Sequence, residues 1–271
     1  MKIAFFYENL HEGVLASGTK TMDAARHLHD AGMDLLYLTP DSWERDRKVI
    51  DNIREKLGVG IEGMHYFCEF PRDPETPAFK RAIDLAAEAG AGSLLIIPGF
   101  FMTGNTDRDL RVMADGVRRA VEYGQEKNVP VVMEDFDGVF APYNCIAGLR
   151  WFLDRVEGLG CAFDTGNFSL FRENEVEALD IFADKIRTVH LKDRCCSPRH
   201  PGDTPFLCAD GKPVYACRIG SGYISIAKIL DRLRLKGYEG NVIAELYAVD
   251  PKFILADAAE SIAWIRRRLE E

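Results

Sequence analysis

Short apolar runs alternate along the whole chain with longer stretches in which apolar residues recur every three or four positions. The runs predict strands and the longer stretches predict amphipathic helices, so their alternation predicts βα units building a parallel sheet. In the first half, strands are expected at 2–7, 33–38, 60–67 and 93–98. The matching helices are 19–31, one capped by Asp41 or Ser42 and running to Leu57, 74–89 and 107–127. In the second half the strands carry Glu134, Asp164, His190 and Glu245, with helices at 143–156, 173–183, 224–235 and 251–269. Eight strands and eight helices predict an α/β fold, a closed (β/α)8 TIM barrel, in preference to a doubly wound sheet. One domain covering 1–271 is expected, and only the stretch at about 194–217 breaks the rhythm. Its prolines, Pro198, Pro201, Pro205 and Pro213, predict a loop or lid folded over one face without a helix.

The second-half strands share a further pattern. Each apolar run stops abruptly at a side chain able to bind metal: Val131–Met133 at Glu134, 161–163 at Asp164, 186–189 at His190 and Val242–Ala244 at Glu245. Parallel strands bring their C-terminal ends to one face, so four residues far apart in sequence are expected to converge. Three carboxylates and one imidazole suit a hard-to-borderline divalent ion, Mn²⁺ first, with Mg²⁺, Co²⁺ or Zn²⁺ as alternatives. An acidic residue at a strand end is as often a solvated loop residue or a helix cap, so the weight lies in four such ends in succession. Other rim residues are candidates for substrate contact: His65 ending strand 3, Glu8 and Asn9 ending strand 1, and Lys192 and Arg194 just beyond His190, able to hold a hydroxyl, carboxylate or phosphate. Tyr7, Phe100, Phe101 and Phe136 could give a ligand an apolar wall, and Trp43 could cover it.

Composition narrows the partners. At 271 residues the chain matches the roughly 250 of one such barrel. A formal net charge of −9 argues against nucleic acid, which needs a basic surface. No run approaches the ~18 apolar residues of a membrane span, and the opening segment turns polar at Glu8, as a first strand does and a signal peptide does not. Seven cysteines, an odd and scattered set, predict reduced thiols and a cytoplasmic protein. Cys195, Cys196, Cys208 and Cys217 fit no zinc-site spacing.

Val-Val-Met-Glu-Asp around Glu134, Phe-Asp-Thr-Gly-Asn around Asp164, Val-His-Leu-Lys-Asp around His190 and Ile-Ala-Glu-Leu around Glu245 resemble the sugar phosphate isomerase/epimerase superfamily. These are the xylose isomerase-like barrels, which include ketose 3-epimerases, inosose dehydratases and endonuclease IV-type enzymes. The glycine-rich segment Arg218-Ile-Gly-Ser-Gly-Tyr is similar to the one preceding the last helix of that superfamily. The resemblance implies one divalent metal held by Glu134, Asp164, His190 and Glu245, with the two glutamates also exchanging protons with substrate. It further implies substrate contacts from Arg218 and from the position three residues after the strand-6 aspartate. That position is Asn167 here, where many epimerases have a histidine, and an amide hydrogen-bonds but does not shuttle protons. A three-zinc nuclease site lacks its histidines.

The implied activity is isomerisation or epimerisation of a sugar or related small polyhydroxy ketone, by proton abstraction next to a carbonyl through a metal-stabilised enediolate. Two alternatives stay open: dehydration of a keto-cyclitol or keto-acid, with Lys192 or His65 assisting the leaving hydroxyl, and a non-catalytic metal- or sugar-binding barrel. The partner expected is a small sugar-like molecule, with neither nucleic acid nor membrane. The region after strand 7 often meets a second subunit in this superfamily, which leaves a homodimer open.

Overall fold

The computed structural model describes residues 1–138 and 140–271. In chain order its strands are β1 (Ile3–Phe6), β2 (Leu35–Leu38), β3 (Gly60–Phe67), β4 (Leu94–Ile97), β5 (Val131–Met133), β6 (Gly160–Asp164), β7 (Ile186–Leu191), β8 (Asp193–Cys195), β9 (Phe206–Leu207), β10 (Pro213–Cys217) and β11 (Val242–Ala244). Eight of them close into a barrel in the order β1-β11-β7-β6-β5-β4-β3-β2. Every pairing in the barrel is parallel. Such strands are covered on both faces, which is why Leu35–Leu38, Leu94–Ile97 and Val131–Met133 are apolar throughout and buried. The fold is a (β/α)8 TIM barrel.

The helices are α1 (Tyr7–Ser17), α2 (Thr21–Asp30), α3 (Pro40–Arg45), α4 (Arg47–Leu57), α5 (Ala78–Ala89), α6 (Thr106–Lys127), α7 (Ile146–Leu153), α8 (Glu175–Phe182), α9 (Ile226–Leu235) and α10 (Ile254–Glu270). Local chemistry sets several ends. Thr39 caps α3 by accepting from Ser42 N, with Pro40 at its first position. Asn174 caps α8 by accepting from Val176 N and Glu177 N. Asn128 ends α6 in the left-handed region at φ 58°.

Two helical features differ from the sequence expectation. The chain enters α1 directly at Tyr7, where the pattern suggested the end of a strand. A glycine in the middle of that helix hides its periodicity, yet Gly13 is needed there, since a Cβ would lie 2.6 Å from Ile254 on α10. The expected helix ending at Leu57 is broken at Asp46 into α3 and α4. The proline-rich stretch does lack a helix, but it is not a plain loop: β8, β10 and β9 form a small antiparallel sheet.

Asp193, which opens that sheet, explains the glycine-rich segment. Its buried carboxylate accepts from Arg194 N at 2.8 Å, Gly220 N at 2.9 Å, Gly222 N at 2.9 Å and Ile224 N at 3.2 Å. A Cβ on Gly222 would sit 2.2 Å from that same carboxylate, so the backbone can wrap the acid only as glycine. Replacing Asp193 with Ala leaves these buried donors without an acceptor. A loss of about 3 kcal/mol in urea unfolding is expected; stability within about 0.5 kcal/mol of wild type, the range of an ordinary surface change, would contradict this role.

Candidate active site

Strands β11, β7, β6 and β5 are consecutive neighbours in the barrel, so the residues at their C-terminal ends stand side by side. Asp164 is paired directly with His190, and His190 with Ile243. Beyond the strands, Thr165 N donates to His190 O at 3.0 Å and Glu245 N donates to Leu191 O at 3.1 Å. As a result, one ligand atom from each of Glu134, Asp164 and His190 lies within 4.8 Å of the other two. The turn after β6 aims the aspartate. Gly166 N and Asn167 N both donate to Asp164 Oδ1, at 2.7 and 3.0 Å, which leaves Oδ2 facing inward. Gly166 itself is pressed against β7, where a Cβ would meet Lys192 O at 2.7 Å.

Glu245 lies beside this group but is engaged by cations. Its Oε2 accepts from His190 Nδ1 at 3.0 Å, and its Oε1 is 2.5 Å from Lys192 Nζ. The same ammonium is 3.2 Å from Asp164 Oδ2 and 3.4 Å from Asp137 Oδ2, and donates to Asn167 Oδ1 at 3.1 Å. Glu134 Oε2 is 3.3 Å from His190 Nδ1. Burial pushes the Glu134 carboxyl up to about 7, against the hydrogen bond and charge of His190. Burial also acts on Glu245, but the charge of Lys192 and the hydrogen bond from His190 outweigh it and bring that carboxyl down to about 2. For His190, burial opposes protonation while hydrogen bonds to Glu134 and Glu245 win, lifting its pKa to about 10. An imidazolium therefore sits between the glutamates when no metal is bound.

The rim opens on a cavity of about 260 Å³. Glu134, His190, Lys192 and Glu245 line it on one side, with His65 and Asp137; the rest is apolar, from Phe6, Phe67, Phe136, Phe206 and Tyr247 among others. The donor set fits a divalent ion. Glu134 Oε2 and Asp164 Oδ2 are buried beside His190 Nδ1 and Lys192 Nζ, His190 Nε2 is buried without a hydrogen-bond partner among the described residues, and two carboxylates with one imidazole are ligands suited to Mn²⁺ or similar ions. A cleft of about 550 Å³ lies at the other end of the barrel, beside Glu62 and Ser93, on the face that serves stability in this architecture.

Of the residues singled out in the sequence, Glu134, Asp164, His190, Glu245, Lys192 and His65 meet at this rim. Asn167 stands behind it, fully buried, donating to Asp135 O at 2.7 Å and accepting from Lys192 and from Arg194 Nη2. Arg194 is also fully buried, with its guanidinium 3.9 Å from the Phe206 ring. Glu8 falls in the first turn of α1, where its Oε1 accepts from Thr39 N and Thr39 Oγ1. Arg218 points away, pairing with Glu260 and lying 3.9 Å from Asp257. Among the expected aromatic walls, Phe136 lines the cavity, whereas Trp43 is buried under Arg47. Asp137, Phe206, Phe6 and Tyr247 were not expected there. Phe6 ends β1 and Tyr247 lies two residues past Glu245, a faint strand-end signal; nothing in the sequence marks Phe206 or Asp137.

A model of the xylose isomerase-like TIM barrel family matches residues 25–268. No curated protein matches the chain by sequence. Among solved structures, the chain is similar to a probable 3-DHS dehydratase involved in petrobactin synthesis from Bacillus anthracis, at 12% identity and a TM-score of 0.73, covering 98% of this chain and 99% of that one. It is similar to a 3-keto-D-glucoside 4-epimerase from E. coli, at 16% identity and a TM-score of 0.68, covering 98% and 99%. It is also similar to a D-psicose 3-epimerase from Clostridium cellulolyticum H10, at 12% identity and a TM-score of 0.71, covering 99% of each chain. At such identities the likeness is one of fold. No helix among the described residues is long and apolar enough to cross a membrane.

If His190 is a ligand, it must give up its proton to bind metal. At about pH 8, Mn²⁺ binding is expected to release about one proton, that of His190. Calorimetric titration in buffers of different ionisation enthalpy reads this directly, and binding without proton release at pH 8 would remove His190 from the ligand set. In the metal-free protein the raised pKa of His190 contributes stability fully below about 6.5 and ceases to do so as pH climbs through about 10.

Proposed function

The chain belongs to the xylose isomerase-like TIM barrel family, and within it we propose a divalent-metal-dependent isomerase or epimerase acting on a sugar or related small polyhydroxy ketone. The observation that carries this reading is the meeting of two buried glutamates of unlike protonation, Glu134 and Glu245, at His190 on the cavity wall. Two carboxylates whose environments drive their pKa values apart are the means by which one site both removes and returns a proton. Epimerases and a dehydratase among the similar structures support the same class of chemistry.

In this reading Glu134, Asp164 and His190 hold the ion, with Glu245 beside them, and Mn²⁺ suits the donor set best. The ion supplies positive charge against the oxygen of a substrate carbonyl. The remaining work falls to the chain. Glu245, kept ionised by Lys192, takes the proton from the carbon next to the carbonyl, and Glu134 returns one. The Lys192 ammonium lies against the cavity and orients hydroxyl or carbonyl oxygens. Phe6, Phe136, Phe206 and Tyr247 exclude water and give a flat apolar face to a ring or extended carbon chain.

Dehydration is the second reading, and Lys192 favours it: an ammonium on the cavity wall can hydrogen-bond a leaving hydroxyl beside the acidified carbon and stabilise its departing charge. Incubation of the Mn²⁺-loaded protein with a panel of ketoses and keto-acids in D₂O separates the two by proton NMR. Epimerisation or isomerisation introduces deuterium next to the carbonyl without loss of water, whereas dehydration yields an unsaturated product. Glu134→Gln and Glu245→Gln are each expected to lower turnover by about 10²- to 10⁴-fold, the contribution of positioned general acid–base groups. Absence of exchange into every ketose and keto-acid by the metal-loaded wild type would leave a binding protein instead.

A further inference from the structure

Arg194 is the largest charged group wholly inside this protein, and its charge is poorly answered. Its relative exposure is 0%, yet among the described residues neither Nε nor Nη1 has a hydrogen-bond acceptor. Its Nη2 donates to the amide oxygen of Asn167 at 3.0 Å, a neutral partner, and the nearest carboxylate oxygen, on Asp137, is 3.9 Å away. Burying a cation is costly unless an anion or a full set of acceptors answers it, and each unsatisfied donor adds to that cost. The guanidinium does not itself line the cavity, but it lies directly behind side chains that do. The Phe206 ring 3.9 Å away and Asp137 both line the cavity, as does Lys192, the other donor to Asn167 Oδ1.

We infer that Arg194 and Lys192, held together by Asn167, form a receptor for an oxyanion, so that the ligand of this cavity is an acidic polyhydroxy ketone, carrying a carboxylate or a phosphate ester, and not a neutral sugar. The inference rests on the reaction class proposed above and names its substrate. The fork of a guanidinium pairs with the oxygens of either anion, and the second cation adds charge without fixing geometry. Phe206 holds the guanidinium from one face through a cation–π contact, leaving its N–H donors for the ligand. The residue belongs to β9 in the small sheet, so the anion would be enclosed under that sheet. A divalent ion on Asp164 would compete with Lys192 for that carboxylate and turn the ammonium toward the ligand.

The test uses the Mn²⁺-loaded full chain and three probes that differ in one group: D-fructose, D-fructuronate and D-fructose 6-phosphate. Binding is read by calorimetry and thermal shift. One of the two anions is expected to bind about tenfold to a hundredfold more tightly than the neutral ketose, the scale of charge-assisted hydrogen bonds, and which one does so identifies the source of the oxyanion. Arg194→Gln should abolish that preference and Arg194→Lys should restore part of it. If Arg194→Gln fails to fold, Phe206→Ala replaces it, with the preference reduced as the guanidinium loses its aromatic support. Equal affinity for all three probes, or a preference unchanged in every folded variant, overturns the inference. The two readings fail separately. Deuterium exchange into neutral ketoses as fast as into the acids keeps the reaction and removes the receptor, whereas Arg194-dependent anion binding with no exchange in any substrate keeps the receptor and removes the reaction.

Discussion

Three carboxylates buried within reach of one imidazole are the constraint from which the rest of the C-terminal rim follows. Glu134, Asp164 and Glu245 are almost fully withdrawn from solvent, and ionised groups in such a place demand positive charge close by. Without metal, that charge comes from His190 and Lys192, whose contacts at 2.5–3.3 Å tie the three acids together. The same distances make the site suited to a divalent ion, since a cluster that tolerates an imidazolium and an ammonium already has the field a metal requires. In the proposed reaction, proton transfer and ion binding would draw on one electrostatic arrangement.

The parts of this arrangement legible in the sequence are those fixed by strand geometry. An apolar run that stops at a polar side chain marks the place where a parallel strand leaves the barrel, and the residue there must face the rim. Glu134, Asp164, His190 and Glu245 could therefore be placed on one face from the sequence. The barrel itself was readable for the same reason, through repetition of a short apolar run and a 3.6-period stretch. What escaped was whatever depends on the path of a connecting segment. Phe206 reaches the cavity only because three short strands fold the stretch after Cys195 back over the mouth. Arg218, expected near substrate, is carried outward by the wrap of Gly220 and Gly222 around Asp193. The first helix was hidden by Gly13, whose small size answers to α10 and not to its own helix.

Asn167 illustrates how a departure from a familiar pattern can be structural in origin. A histidine there could reach substrate, but the amide faces away from the cavity and ties three elements: the backbone after β5, the ammonium of Lys192 and the guanidinium of Arg194. With a neutral amide oxygen between them, two like charges are kept side by side at the edge of an otherwise acidic site. Family membership fixes the barrel, while such positions set the charge beside the cavity.

The Thr165 hydroxyl accepts from Lys192 N and donates to Lys192 O, both at 2.9 Å, extending the ladder between β6 and β7 by a side chain where the main-chain pairing ends. Asp164, His190 and Lys192 are thereby riveted into one stiff plate. Glu134, by contrast, sits one residue beyond the last pairing of β5 with β6. The rim is mechanically lopsided, and accommodation to ions or ligands of different radius will be taken up by the hinge-like carboxylate of Glu134 while the opposite plate keeps its shape.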